Sequence, residues 1–249
     1  MEVWNLLVGN PVLNVLIALS HILGGSFGLA IIALTIIVRL ITWPLTKRQL
    51  NSTKAMQEMQ PKIQELQKKY GKNQQKLQQE MMKLYKEAGV NPLGCLWPML
   101  VQFPIWIALY QAIMKALATT PENLLDLAAR LYSWDIVNQA IPLNSHFLWL
   151  DLGSRGDIVL AIIVGGTMWV QQKMTQAPSL DPRQESTSRI MLLMMPIMFG
   201  LLSLSFPAGL GLYWAVSSVI GIIAQYFITG GWGYLKLRSP FGPTPVKGK

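Results

Sequence analysis

Side chains able to do chemistry are few in this sequence, and they do not fall into a catalytic pattern. The single cysteine, Cys95, excludes an intramolecular disulfide framework and any cysteine-based zinc or iron–sulfur site. No GxxxxGK(S/T) phosphate loop, HExxH or GxSxG occurs, so nucleotide-driven work and zinc or serine hydrolysis lack their usual residues. His21 and His146 lie outside the five long apolar stretches, and no carboxylate lies within the body of any. Intramembrane proteolysis and a proton relay both need such groups. No enzyme activity, catalytic residue, metal or cofactor is expected.

One charge stands inside an apolar stretch. Arg39 lies eight residues before Lys47, about 12 Å into the bilayer at 1.5 Å per residue. An arginine near a helix centre costs about 2.5–3.5 kcal/mol on insertion scales, and such residues usually pair with an acid or face water. No acid is at hand. Thr35, Arg39, Thr42 and Thr46 step by 4, 3 and 4 along one helical face. Gln102 lies about 15 Å inside the second stretch, near the same depth. Trp214, Ser217 or Ser218, Gly221 and Gln225 form a mixed stripe on the last. Each has an ordinary alternative: arginine can snorkel, and Thr and Ser can bond back to their own helix. Around an unpaired cation, the set reads as one hydrated groove closed at its outer end, able to hold an anionic polypeptide segment briefly. Met56, Met59, Met81 and Met82 in the polar insertion, and Met191, Met194, Met195 and Met198 in the fourth stretch, can adapt to varied apolar partners.

The elements that must position these residues follow from composition and periodicity. Half of the 249 residues are hydrophobic and only 13% are charged, against about 25% in soluble domains. The expected fold is an all-α integral membrane protein with five transmembrane helices: 25–45, 91–116, 156–173, and two in 189–229 joined by a tight turn at Phe206–Ala208. Residues 46–90 carry ten of the basic side chains and read as a cytoplasmic helical hairpin. Met56, Met59, Ile63 and Leu66 face Leu77, Met81, Leu84 and Ala88 across a Gly71–Lys72–Asn73 turn, and Pro61 marks a kink or a restart. Alternation places 117–155 outside, with a helix start at Thr120–Pro121–Glu122, a greasy face of Leu124, Leu125, Ala128 and Leu131, and Trp134 and Trp149 as interface anchors. It places 174–188 and the basic tail 230–249 inside. The chain is then N-out and C-in. The net charge of +9 belongs to this loop asymmetry, not to nucleic-acid sequence recognition.

Residues 1–24 are expected to lie in the interface as an amphipathic helix. Asn10 reads as its cap before Pro11, leaving about 20 Å of helix, too short to cross. Asn10, Asn14 and His21 form its polar face, and Val12, Val15, Leu16, Leu19 and Leu23 its apolar one. No basic residue precedes Arg39, so a signal peptide is not expected.

Four segments in register resemble the YidC membrane-protein insertases: IIVRLITWPLTKRQ within 33–50, QPKIQELQKKYG at 60–71, EMMKLYKEAGVNPLGCLWPMLVQFPIWIALYQ at 80–111 and FPAGLGLYW at 206–214. The resemblance covers about residues 25–230 and implies a five-span core in the cytoplasmic (inner) membrane. It also implies a groove open to the cytoplasm and the lipid, and chaperoning and insertion of membrane proteins without nucleotide hydrolysis. By the same matching the groove arginine falls on Arg39, and substrate-facing positions fall on Thr35, Tyr213 and Trp214. The partners implied are nascent membrane proteins, the Sec translocon, and the ribosome through the hairpin or the short basic tail. The sequence is expected to be a small form without the large extracytoplasmic domain of Gram-negative members. The rival reading is a small-solute transporter using the same cavity, and a third is a structural subunit. A transporter would show a pseudo-repeat with broken helices at matching positions, which the sequence lacks.

Overall fold

The computed structural model describes residues 2–71, 73–89, 96–117, 127–139, 143–176 and 182–235. The expected helix start at Thr120–Pro121–Glu122, Leu124, Leu125, Cys95 and the tail cations Lys236, Arg238, Lys247 and Lys249 lie outside the described residues. The described part is almost wholly helical: α1 (Glu2–Trp4), a π-helical turn (Asn5–Gly9), α2 (Asn10–Ile22), α3 (Phe27–Ile41), α4 (Trp43–Glu58), α5 (Gln60–Tyr70), α6 (Gln74–Glu87), α7 (Leu96–Ala116), α8 (Asp135–Gln139), α9 (Ile158–Thr175), α10 (Pro182–Ser205) and α11 (Ala208–Thr229). A two-stranded hairpin, β1 (His146–Phe147) and β2 (Leu150–Asp151), interrupts the all-α pattern, paired antiparallel with Phe147 opposite Leu150.

Local chemistry sets the boundaries. The Ser26 hydroxyl accepts from the Leu29 N–H at the start of α3, Asn73 from Lys76 at α6, and Asp157 from Leu160 at α9. Between α3 and α4 the axis turns by 66°. Pro44 has no N–H for the Leu40 carbonyl, so the hydrogen-bond ladder breaks there. The bend leaves Thr46 on α4, so Thr35, Arg39, Thr42 and Thr46 do not share one straight helix. Pro61 stands at the second residue of α5 after the break at Met59, the restart that the sequence allows.

Among the described residues, two helical stretches are long and apolar enough to cross a membrane, Asn5–Ile22 and Ala208–Thr229, and the bent α3–α4 pair qualifies if taken as one span. Leu100–Ala116 and Arg189–Ser205 are shorter apolar helices.

The N-terminal segment departs from expectation in two ways. Asn10 is not a cap. Its backbone is helical, at φ −68° and ψ −44°, and its N–H donates to the Asn5 carbonyl, because the π-helical turn carries the helix back toward Glu2. The uninterrupted stretch Asn5–Ile22 is therefore 18 residues, not 13. Asn14 does not face water either. It is fully buried, its Nδ2 donating to the Asn10 and Arg130 carbonyls and its Oδ1 accepting from the Tyr132 N–H. The bonds to Arg130 and Tyr132 satisfy backbone groups of the 127–139 segment.

The core joins Leu13, Leu16 and Ile17 of α2 to Phe27, Ile31 and Leu34 of α3, Leu109 and Ile113 of α7, and Leu210 and Tyr213 of α11. On the far side α9 and α10 approach closely at Gly165 and Gly200, where an added Cβ would sit 3.1 Å from a facing backbone oxygen in each case. The helices α5 and α6 make a separate small unit whose seam buries Met59 and Ile63, with Met56, Met81, Leu84 and Tyr85 packed on them. Gln57, near the end of α4, donates from Nε2 to the Met174 carbonyl at 3.1 Å and ties the base of this unit to the last turn of α9.

Candidate functional site

Arg39 lies in the last turn of α3, one turn before the break, with its side chain reaching α11. Its Nε donates to Ser217 Oγ at 3.0 Å, and its Nη2 donates to Ser217 Oγ at 2.6 Å and to the Ser217 carbonyl at 2.8 Å. Among the described residues no carboxylate pairs with it. Serine supplies acceptor lone pairs but no countercharge, so the cation is held in place without being neutralised. The guanidinium has five N–H donors; three contacts to one residue leave donors over.

One turn before Ser217 on α11, Tyr213 is buried to 1% exposure, and its hydroxyl meets the Gln102 amide of α7. Tyr213 and Ser217 lie four residues apart on one face. Arg39 from α3 and Gln102 from α7 thus converge on the same stripe of α11. Ser218, buried beside it, points about 100° away around the helix. The structure therefore selects Ser217 of the two serines as the arginine's partner.

The remaining expected groove residues are placed differently. Thr35 is fully buried and its hydroxyl donates to the Ile31 carbonyl at 2.6 Å; the Thr42 hydroxyl donates to the Val38 carbonyl at 2.8 Å. Both spend their polarity on their own helix. Trp214 is buried among aromatic rings, edge-on to Trp106, Phe199 and Phe206 at centroid distances of 5.8, 5.5 and 5.9 Å. Its Nε1 has no acceptor among the described residues. Gln225 is buried two turns beyond Ser217, and its Nε2 is likewise without a partner. Two stranded donors on the same helix are costly unless water reaches them.

The aromatic cluster escaped sequence reading. Trp106 lies one turn from Gln102 on α7 and Phe199 in the last third of α10, where tryptophan and phenylalanine read as ordinary span residues. Of the methionines, Met56, Met59 and Met81 fill the seam of the helical pair, whereas Met82 stands exposed. Met191, Met194 and Met198 are exposed along α10.

Comparison with known proteins follows the same residues. The family described as 60Kd inner membrane protein matches residues 18–232, which include Arg39, Gln102, Tyr213 and Ser217. A membrane protein insertase YidC of Oceanobacillus iheyensis is 39% identical over 236 residues, covering 91% of this chain and 83% of its own length. Membrane protein insertase MisCA of Bacillus subtilis is 39% identical over 233 residues, covering 92% and 79%. A YidC insertase of Geobacter sulfurreducens is 36% identical over 227 residues, covering 90% of this chain but only 38% of that protein. The chain belongs to this family, the YidC membrane protein insertases, and is a multi-pass protein of the inner membrane.

Proposed function

We propose that this protein inserts membrane proteins by accepting hydrophobic segments from the cytoplasm into a hydrated groove at Arg39 and releasing them laterally into lipid, without nucleotide hydrolysis. The observation that carries the reading is the arginine itself. A cation at this depth whose one bonded partner among the described residues is a serine must be stabilised by water or by an incoming anion, since a dry unpaired charge in hydrocarbon is costly. The groove is formed by Arg39, Gln102, Tyr213 and Ser217, with Thr35, Thr42, Trp214, Ser218 and Gln225 as its supporting wall. Exposed methionines on α10, and Met82 on the helical pair, offer adaptable apolar contact to a client. In this reading nascent membrane proteins are the clients, and the ribosome and the Sec translocon are partners.

The same reading has five spans, N-out and C-in: the α3–α4 bend region, α7, α9, α10 and α11. The lysine-rich α4–α6 segment supports a cytoplasmic placement. The stretch Asn5–Ile22 lies along the outer end of the bundle. Trp4 Nε1 donates to Gln111 Oε1 near the end of α7 at 3.0 Å, Asn14 bonds the 130–132 backbone, and Ser26 pairs with Asn144. Contacts from start to finish with one end of the molecule favour a helix lying flat over one that crosses. Long enough is not the same as spanning.

The test is site-specific photocrosslinking to a ribosome-stalled nascent membrane protein. A photoreactive residue at position 102 should crosslink the client's hydrophobic segment, and one at Ile162, on the exposed face of α9, should not. Crosslinks confined to position 162 would place the client on the far side and reject the groove.

A further inference from the structure

The hairpin β1–β2 reverses the chain within two residues. Its register pairs Phe147 with Leu150, so Leu148 and Trp149 are the whole of its two-residue turn. Leu148 adopts φ +56°, and no other non-glycine among the described residues has a positive φ. Turns of this length require positive φ and are dominated by Asn, Asp and Gly, which tolerate it and suit water. Here a leucine takes the strained position and is 78% exposed, with Trp149 beside it 55% exposed. A backbone outlier held by its surroundings points to a function for the residue.

The surroundings do hold it. Phe147 lies directly on Gly28, in space that any Cβ there would occupy, so the base of the hairpin is seated against the first turn of α3. The Leu152 N–H donates to the Ser145 carbonyl at 2.9 Å, the Gly209 N–H to the Leu152 carbonyl at 2.9 Å, and the Ala208 N–H to the Ser154 carbonyl at 2.8 Å. These contacts clamp the hairpin to the starts of α3 and α11, the end of the bundle remote from the lysine-rich helices. A fixed base carries an unprotected apolar tip. In water such a leucine–tryptophan pair would be a liability. At a membrane surface a tryptophan with an aliphatic neighbour suits the boundary between headgroups and acyl chains.

We propose that the Leu148–Trp149 tip is a lipid anchor that enters the headgroup–acyl boundary of the outer leaflet beside the start of α3. The proposal rests on the N-out orientation given above. In vesicles of the full chain carrying Cys95→Ala, single cysteines from Leu148→Cys and His146→Cys are labelled with a nitroxide, and collisions are measured with oxygen, which concentrates in lipid, and with a water-soluble nickel chelate. The label at 148 should collide mainly with oxygen and that at 146, on the exposed base, mainly with nickel. A membrane-impermeant maleimide should reach 146 from the outer face. Trp149→Cys repeats the reading with Leu148 in place, so a turn disturbed by substitution at 148 does not decide the result. Nickel collisions at both 148 and 149 equal to those at 146, with 146 open to the outside, would overturn the anchor and leave the orientation standing. Reaction of 146 only from the inner face would overturn the orientation, and the outer-leaflet anchor with it.

Discussion

At the residue scale, Arg39 is positioned by Ser217 and left charged. An Asp near the bilayer centre costs about 2.5–3.5 kcal/mol on insertion scales. A cation about 4 Å away at an effective dielectric near 20 returns about 4 kcal/mol. That offsets the cost without the tightness of a dry ion pair, which would hold the client. Past Arg39, a negative tail moving outward gains about 2.3 kcal/mol per charge per 100 mV of inside-negative potential. In insertion into vesicles, Arg39→Ala should cut the insertion of a client with an acidic outer tail by about tenfold or more, up to about a thousandfold if the whole of that roughly 4 kcal/mol is lost, while a neutral-tailed version is far less affected. Arg39→Lys should keep the charge effect, although a lysine cannot reproduce the Nε and Nη2 contacts to Ser217. Equal loss for both tails under Arg39→Ala would mean that the arginine supports packing of α3 on α11. Arg39 and Gln102 are legible in the sequence because polar groups are conspicuous in apolar stretches. The choice between Ser217 and Ser218 is not, since a helix rotation of about 100° separates them and only tertiary packing fixes that rotation.

At the scale of elements, proline and spacing were good guides and the N-terminus was not. The helical pair and its restart at Pro61 could be read because the apolar steps of 3 and 4 occur in a polar setting, where few competing patterns exist. The break at Thr42 was hidden, because Trp43–Pro44 sits at the end of a stretch already apolar enough to span. Asn10 before Pro11 looked like a cap, but the π-helical turn continues the helix, and the burial of Asn14 depends on a loop more than a hundred residues away. Among its described residues the helical pair buries few apolar side chains, Ile63 on α5 and Leu77 on α6, with Met59 at the break before them. Regions with so few buried contacts open at low free energy. In native-state hydrogen exchange of the reconstituted protein, amides of 62–87 should exchange well before those of 210–225 in α11, whose face is buried along its length. Similar protection in both would show that the helical pair is held firmly against the rest of the molecule, beyond the Gln57–Met174 bond.

At the scale of the whole molecule, three helices bring a cation, an amide and a phenol to one stripe of α11. The opposite flank presents exposed apolar side chains, from Ile162 on α9 to Ile197 and Leu201 on α10. In the function proposed above, this division would let the polar inner stripe keep a polar tail wet while the apolar outer face meets hydrocarbon. The central claim is that water from the cytoplasm reaches the Arg39 stripe. In the Cys95→Ala background, single cysteines at 42 and 102, both half-buried, should react with a membrane-impermeant maleimide supplied from the cytoplasmic side far faster than cysteines at 162 or 201. Thr35→Cys should react slowly, since that position is fully buried. Rates at 42 and 102 no greater than at 162 and 201 would contradict a hydrated groove.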